Sequence, residues 1–150
     1  MIKKILVIDG QGGRIGKTVI ERLADEMKNI QDNRAEIYAV GTNSVASSNM
    51  MTAARSKNLP LKAATGENPI VVLSKKADII CGPIGIIIAD SMLGENTPAA
   101  ASAVSSSSAV RVLIPMNMTG CDNFIAGVSK VPLAEIIDSA VTEIMRLIEN

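Results

Sequence analysis

Apolar residues fall into two patterns along this chain. Short, mostly apolar runs occur at 5–8 (ILVI), 35–40 (AEIYAV), 77–82 (ADIICG) and 110–115 (VRVLIP), each too short for an ordinary helix and suited to a buried strand. Longer stretches between them carry apolar residues three and four apart. In 14–29, Ile15, Val19, Leu23 and Met27 form one stripe. In 132–149, Leu133, Ile136, Ile137, Ala140, Val141, Ile144, Leu147 and Ile148 do the same. Boundary chemistry adds three helices: 42–57, capped by Thr42, Asn43 or Ser44; 66–76, with Asn68 before Pro69 as a cap-then-proline start; and 97–109, entered through Thr97-Pro98. LPLKAAT (59–65) reads as a short strand or an extended link, and 123–128 as a last short strand. The stretch 84–95 (IGIIIADSMLGE) has no clear period and reads as a loop entering a buried helix.

Strands alternating with helices predict one α/β domain over 1–150: three layers, doubly wound, Rossmann-like, with a mainly parallel sheet. Its core strands are expected at 3–9, 35–40, 77–82 and 110–115, with 77–82 and 110–115 both beside 3–9.

Composition narrows the chemistry. Tyr38 and Phe124 are the only aromatic residues, and fifteen basic residues balance fifteen acidic ones. Without a basic excess or stacking rings, nucleic-acid binding is not expected. The chain has no histidine, which removes Ser-His-Asp and Cys-His catalysis and histidine-ligated metals. Cys81 and Cys121 have no metal-ligand spacing, so no metal site is expected; reduced thiols in the cytoplasm are. No secretory signal is expected, because only four apolar residues separate Lys4 from Asp9. The most apolar stretch, 79–89, is eleven residues long and holds a proline and two glycines, against about twenty residues for a membrane span.

The densest motif is VIDGQGGRIGKT (7–18), a glycine loop between a predicted strand and a predicted helix. Gly10, Gly13 and Gly16 are spaced GxxGxxG. The first would let the strand turn, the second would let backbone N–H groups approach a pyrophosphate, and the third would let the helix lie close to the sheet. The loop residues Gly10, Gln11, Gly12, Gly13, Arg14, Ile15 and Gly16 are therefore candidate cofactor ligands. On this reading a valine at Gly13 would block the phosphate with little effect on the core. Other expected strand ends add Gly41, Thr42, Asn43 and Ser44, then Gly82 and Pro83, then Asn117. No acid follows the 35–40 strand to hold ribose hydroxyls. Hydroxyls there and Arg14 in the loop favour NADP(H) over NAD(H). Asp9 at the lip would repel a pyrophosphate unless Arg14, Lys17 or Mg²⁺ offset it; its other role is to cap the loop by accepting backbone N–H bonds. Glu67 reads first as an ordinary first-turn charge of a helix, and Asp90 and Glu95 as helix-face or terminal charges. A rival reading takes QGGRIGKT (11–18) as a Walker-like loop for ATP-Mg²⁺ with IIIAD (86–90) as its acidic strand, although Gln11 stands where that motif needs glycine.

The glycine stretch resembles the N-termini of NAD(P)-binding Rossmann proteins, and GGRIG is similar to the GGRMG of dihydrodipicolinate reductase over about the first 45 residues. That enzyme's catalytic motif is histidine-rich, so its activity does not carry over. Across most of 1–128, IDGQGGRIGK, GTNSVAS, ATGEN, ADIICGPIGIIIADSMLGENTP and LIPMN together resemble a family of small bacterial proteins with a domain of unknown function. That resemblance implies a site at the strand ends and no assigned reaction. The expected function is nucleotide binding, as an oxidoreductase or its cofactor-binding subunit, with an ATP-Mg²⁺ hydrolase or switch and a non-enzymatic nucleotide sensor as the alternatives. The small residues Ala99 to Ala103 suit helix packing between subunits, so a homo-oligomer with 92–109 at its interface is expected.

Overall fold

A computed structural model describes residues 1–28, 34–115 and 125–150. Five parallel strands form one sheet: β1 (Lys3–Asp9), β2 (Ala35–Gly41), β3 (Lys62–Thr65), β4 (Ile79–Pro83) and β5 (Val110–Ile114), in the order β3-β2-β1-β4-β5. Helices α1 (Arg14–Lys28), α2 (Ser44–Ser56) and α5 (Leu133–Glu149) cover one face; α3 (Glu67–Ser74) and α4 (Pro98–Ser105) cover the other. The fold is thus the expected three-layer, Rossmann-like α/β architecture, with an all-parallel sheet. The chain reverses its direction of travel across the sheet between β1 and β4, and a crevice opens outside the carboxyl ends of such strands.

Burial explains the strand composition. Ile5, Val7, Ile37, Ala39, Ile79 and Cys81 point into the layer holding Val19, Ile20, Leu23, Ile137 and Ile144. Leu6, Ile8, Val40 and Ile80 alternate with them and point into the layer holding Ile70, Ile86, Ala100 and Val104. Strands wetted on neither face have no need of polar alternation, which is why they read as continuous apolar runs.

Several expectations are corrected. The strand 110–115 lies in the sheet but one place further out than expected: β5 pairs with β4, and β4 with β1. The stretch 84–95 enters no α-helix. A 3-10 helix at Ile84–Ile87 is followed by tight turns, with Asp90, Met92, Leu93 and Gly94 all at positive φ. Asn68 does not cap α3; Gly66 does, and Asn68 and Pro69 lie inside the first turn, where a missing N–H costs nothing. Within 123–128, the described residues 125–128 form a turn, not a strand. The other boundaries agree within two residues, except that α4 ends at Ser105, short of the expected 109, and β3 begins only at Lys62. Asn43 caps α2 through the Ala46 N–H, and Thr97 caps α4 through the Ala100 N–H. In α4, Ala100, Ala101 and Val104 are buried within this chain. Among the described residues no helix is long and apolar enough to cross a membrane.

Candidate functional site

The carboxyl ends of β1 and β2 lie side by side, with Asp9 opposite Gly41, so the glycine loop meets the start of α2. Hydrogen bonds join the two. The Thr42 N–H donates to the Asp9 carbonyl (2.9 Å), Asn43 Nδ2 to the Gln11 carbonyl (2.9 Å) and Asn49 Nδ2 to the Gly12 carbonyl (2.7 Å). The structure therefore brings together Gly10, Gln11, Gly12, Gly13, Gly41, Thr42 and Asn43. Gly82 and Pro83 end β4 next to β1 and are buried, Ser44 opens α2 on the surface, and Asn117 lies outside the described residues.

All three motif glycines are explained by packing; a Cβ on Gly16 would stand 2.5 Å from Met50 Sδ and 2.9 Å from the Asp9 Cβ. A Cβ on Gly13, at φ +68°, would stand 2.6 Å from the Ala46 Cα and 3.0 Å from the Ala46 carbonyl oxygen. This glycine is what lets α1 and α2 touch, so the expectation that valine there would spare the core is wrong. A Cβ on Gly10 would meet Met92 Sδ and Thr42 Oγ1, each at 2.6 Å. Gly12 differs: its Cβ would meet only Arg14 Cγ, at 3.8 Å.

Asp9 is 4% exposed and takes the capping role. Its Oδ1 accepts the Gly10 N–H (2.8 Å) and its Oδ2 the Gly16 N–H (2.7 Å), so this carboxylate, and no outside anion, meets the inner amides of the first turn of α1. Neither Arg14 nor Lys17 pairs with it. Burial raises the Asp9 carboxyl above the usual range despite the pull of the Gly16, Gly10 and Ile15 amides, and the charge of Glu95 adds to the rise. A carboxyl raised in the native state stabilises it fully below the unfolded value, near ~3.9, and loses that contribution as pH rises through the native value. The stability of the native chain relative to Asp9→Asn is therefore expected to fall as pH rises from about 4 towards neutrality. Urea midpoints of both proteins across that range measure it, and a constant or widening gap would contradict it. The Gly12 and Arg14 N–H groups have no hydrogen-bond partner among the described residues, and both residues are exposed on the rim.

Glu95 was not foreseen as part of the site. Its Oε1 accepts three hydrogen bonds: from the Gln11 N–H (2.9 Å), Thr42 Oγ1 (2.8 Å) and Asn43 Nδ2 (2.6 Å). No described residue bonds its Oε2. Burial works to raise this carboxyl, but the three donors outweigh it and hold Glu95 below the usual range. Asn96, fully buried, fastens the segment that carries Glu95. Its Nδ2 donates to the Gly85 and Ile88 carbonyls (both 2.9 Å), its carbonyl accepts the Asp90 N–H (2.8 Å), and its N–H donates to the Ser91 carbonyl (3.2 Å). Ser91 Oγ adds a bond to the Gly85 carbonyl (2.5 Å). Met92, 4% exposed, anchors the tip against Gly10.

Other candidates lie apart from this corner. Glu67 accepts a hydrogen bond from Thr97 Oγ1, tying α3 to α4. Cys81 is fully buried and its thiol is pushed up to about 12, first by burial and then by the Asp9 charge, which makes it inert as a nucleophile. Asp90 is exposed in a turn, and 86–90 forms no strand, so the acidic strand of the Walker-like reading is not there.

The family model described as Domain of unknown function (DUF3842) matches residues 4–149, and the chain belongs to that family. No curated protein matches the chain.

Proposed function

We propose that this chain binds a pyridine dinucleotide, NADP(H) or NAD(H), in the crevice outside the carboxyl ends of β1, β2 and β4. The observation that carries the reading is the setting of the glycine loop. It stands beside the switch point of a β3-β2-β1-β4-β5 parallel sheet, with the Gly12 and Arg14 amides on its rim unpaired among the described residues. Those two amides are the loop's remaining donors for a phosphate, because Asp9 and Glu95 hold those of Gly10, Gly16 and Gln11. The Arg14 side chain, exposed beside them, adds the positive charge that two nearby carboxylates make necessary. Hydride chemistry is the cofactor's own, which suits a crevice with no histidine and no reactive thiol among its described residues. Nothing in the geometry favours ATP-Mg²⁺, since Lys17 is exposed on α1 and 86–90 is not a strand.

Isothermal titration of the full chain with NADH, NADPH and ATP-Mg²⁺ tests this. Saturable binding of a pyridine dinucleotide is expected. Gly12→Asp, which adds a negative side chain where nothing is crowded, is expected to weaken that binding roughly tenfold or more while leaving the thermal transition in place. Binding of ATP-Mg²⁺ alone would replace the reading with the hydrolase or switch class, and binding of none of the three would end it. Turnover of the reduced cofactor with a panel of carbonyl compounds then separates an oxidoreductase from a cofactor-binding subunit or sensor.

A further inference from the structure

From the placement of its carboxylate we infer that Glu95 is the specificity residue of the crevice, selecting a dinucleotide whose adenosine ribose carries free hydroxyls, NAD(H), over one bearing a 2′-phosphate. The inference rests on the reading of the crevice as a dinucleotide site. In parallel-sheet dinucleotide sites an acid at the end of the second strand holds the ribose hydroxyls. Here that strand ends in Gly41-Thr42-Asn43, with no acid. Glu95 supplies one from the far side of the switch point. Its Oε1 lies 2.8 Å from Thr42 Oγ1 and 2.9 Å from the Gln11 nitrogen, between the end of β2 and the glycine loop.

The carboxylate is built to be used at one end only. Three donors converge on Oε1 and fix the group, while Oε2 has no partner among the described residues. A fixed carboxylate oxygen with free lone pairs, partly exposed at a crevice rim, accepts hydroxyl protons and repels phosphate. It is also pre-organised. Asp90, Met92, Leu93 and Gly94 stand at positive φ in a tip closed by the Gly94 N–H on the Asp90 carbonyl and the Glu95 N–H on the Met92 carbonyl, and the Asn96 and Ser91 side chains tie its base to the Gly85 and Ile88 carbonyls, so Glu95 loses little freedom when a ligand arrives. Thr42 and Asn43, which suggested a 2′-phosphate site on their own, spend their donors on Glu95.

Glu95→Gln is the discriminating variant. The amide oxygen can still accept the three clamping bonds, but the free acceptor becomes an NH₂ donor without charge. Dissociation constants for NADH and NADPH are measured on the native chain and on Glu95→Gln. The native chain is expected to prefer NADH by roughly tenfold or more, and the variant to bind NADH roughly ten- to a hundredfold more weakly while the preference narrows or reverses. A native preference for NADPH, or a ratio unchanged by Glu95→Gln, would overturn the inference and leave the dinucleotide reading standing. Failure of both cofactors to bind the native chain would remove that reading and the inference together. Should Glu95→Gln not fold, competition on the native chain decides: adenosine 5′-monophosphate must displace NADH at lower concentration than adenosine 2′,5′-bisphosphate, and the opposite order overturns the inference.

Discussion

Gly13→Val is expected to remove a large part of the stability of the native state. Two costs combine. A β-branched residue at φ +68° is strained by about 1–3 kcal/mol, and overpacking a tight contact costs about 1–3 kcal/mol more. The atoms in the way are the Cα and carbonyl oxygen of Ala46, inside α2, and a helix backbone cannot give as the end of a side chain can. The upper half of the combined range therefore applies, against a usual native stability of about 5–15 kcal/mol. Gly12→Ala, one residue away and meeting only Arg14 Cγ, is the control and is expected to unfold like the native chain. Urea unfolding followed by circular dichroism measures both. Equal midpoints would show that the α1–α2 contact does not need Gly13. The result also governs how ligand binding is read: a Gly13 variant that fails to bind a nucleotide has lost its fold, and Gly12 is the position that reports on the crevice.

The glycine motif illustrates what the sequence could and could not reveal. Its spacing correctly marked a strand–loop–helix junction, because few other residues fit so tight a turn between packed elements. It did not reveal that Gly10 and Gly13 make room for Met92 and Ala46, since those partners come from elements distant in sequence. The central strands were legible for a related reason: strands buried on both faces must be apolar throughout, and Ile5 to Ile8 are. The third strand, exposed at Lys62 on the sheet edge, was left between strand and link because an edge carries less of that constraint. The stretch 84–95 misled because its apolar residues suggest a buried helix, whereas its conformation is set by polar bonds from Ser91 and Asn96 to backbone carbonyls. Periodicity carries no trace of such bonds. Glu95 was illegible for the same reason. Its three donors lie 52 to 84 residues away, and nothing near it distinguishes it from an ordinary surface charge.

Asn96→Ala is expected to lower stability and to loosen the Glu95 segment from a fully buried position. The side chain is fully buried and holds two carbonyls of the 85–88 turn. Losing two hydrogen bonds costs about 1–3 kcal/mol, and the vacated volume adds about 1 kcal/mol. Part of this is offset, because the Asn96 Oδ1 has no hydrogen-bond partner and its removal relieves a buried acceptor. Gly85 keeps the Ser91 hydroxyl as a donor, so the turn is weakened and not orphaned. The net loss should be about 2 kcal/mol, enough to move the thermal midpoint several degrees in a chain of this length. The more telling effect is on dynamics. The Asn96 side chain ties the base of the tip, which holds four positive-φ residues from Asp90 to Gly94, to the Gly85 and Ile88 carbonyls, and without it the tip carrying Met92 and Glu95 is expected to sample other conformations. The Gln11 N–H, whose acceptor is Glu95 Oε1, should then exchange with solvent many times faster, while amides in the middle of β1 change only as global stability does. Hydrogen exchange resolved by residue measures this directly. On the proposed role of Glu95 as ribose acceptor, NADH affinity should fall with the Gln11 protection. Unaltered Gln11 exchange in Asn96→Ala would mean that Glu95 is positioned by its own three donors alone and that the Asn96 bonds serve only the turn beneath it.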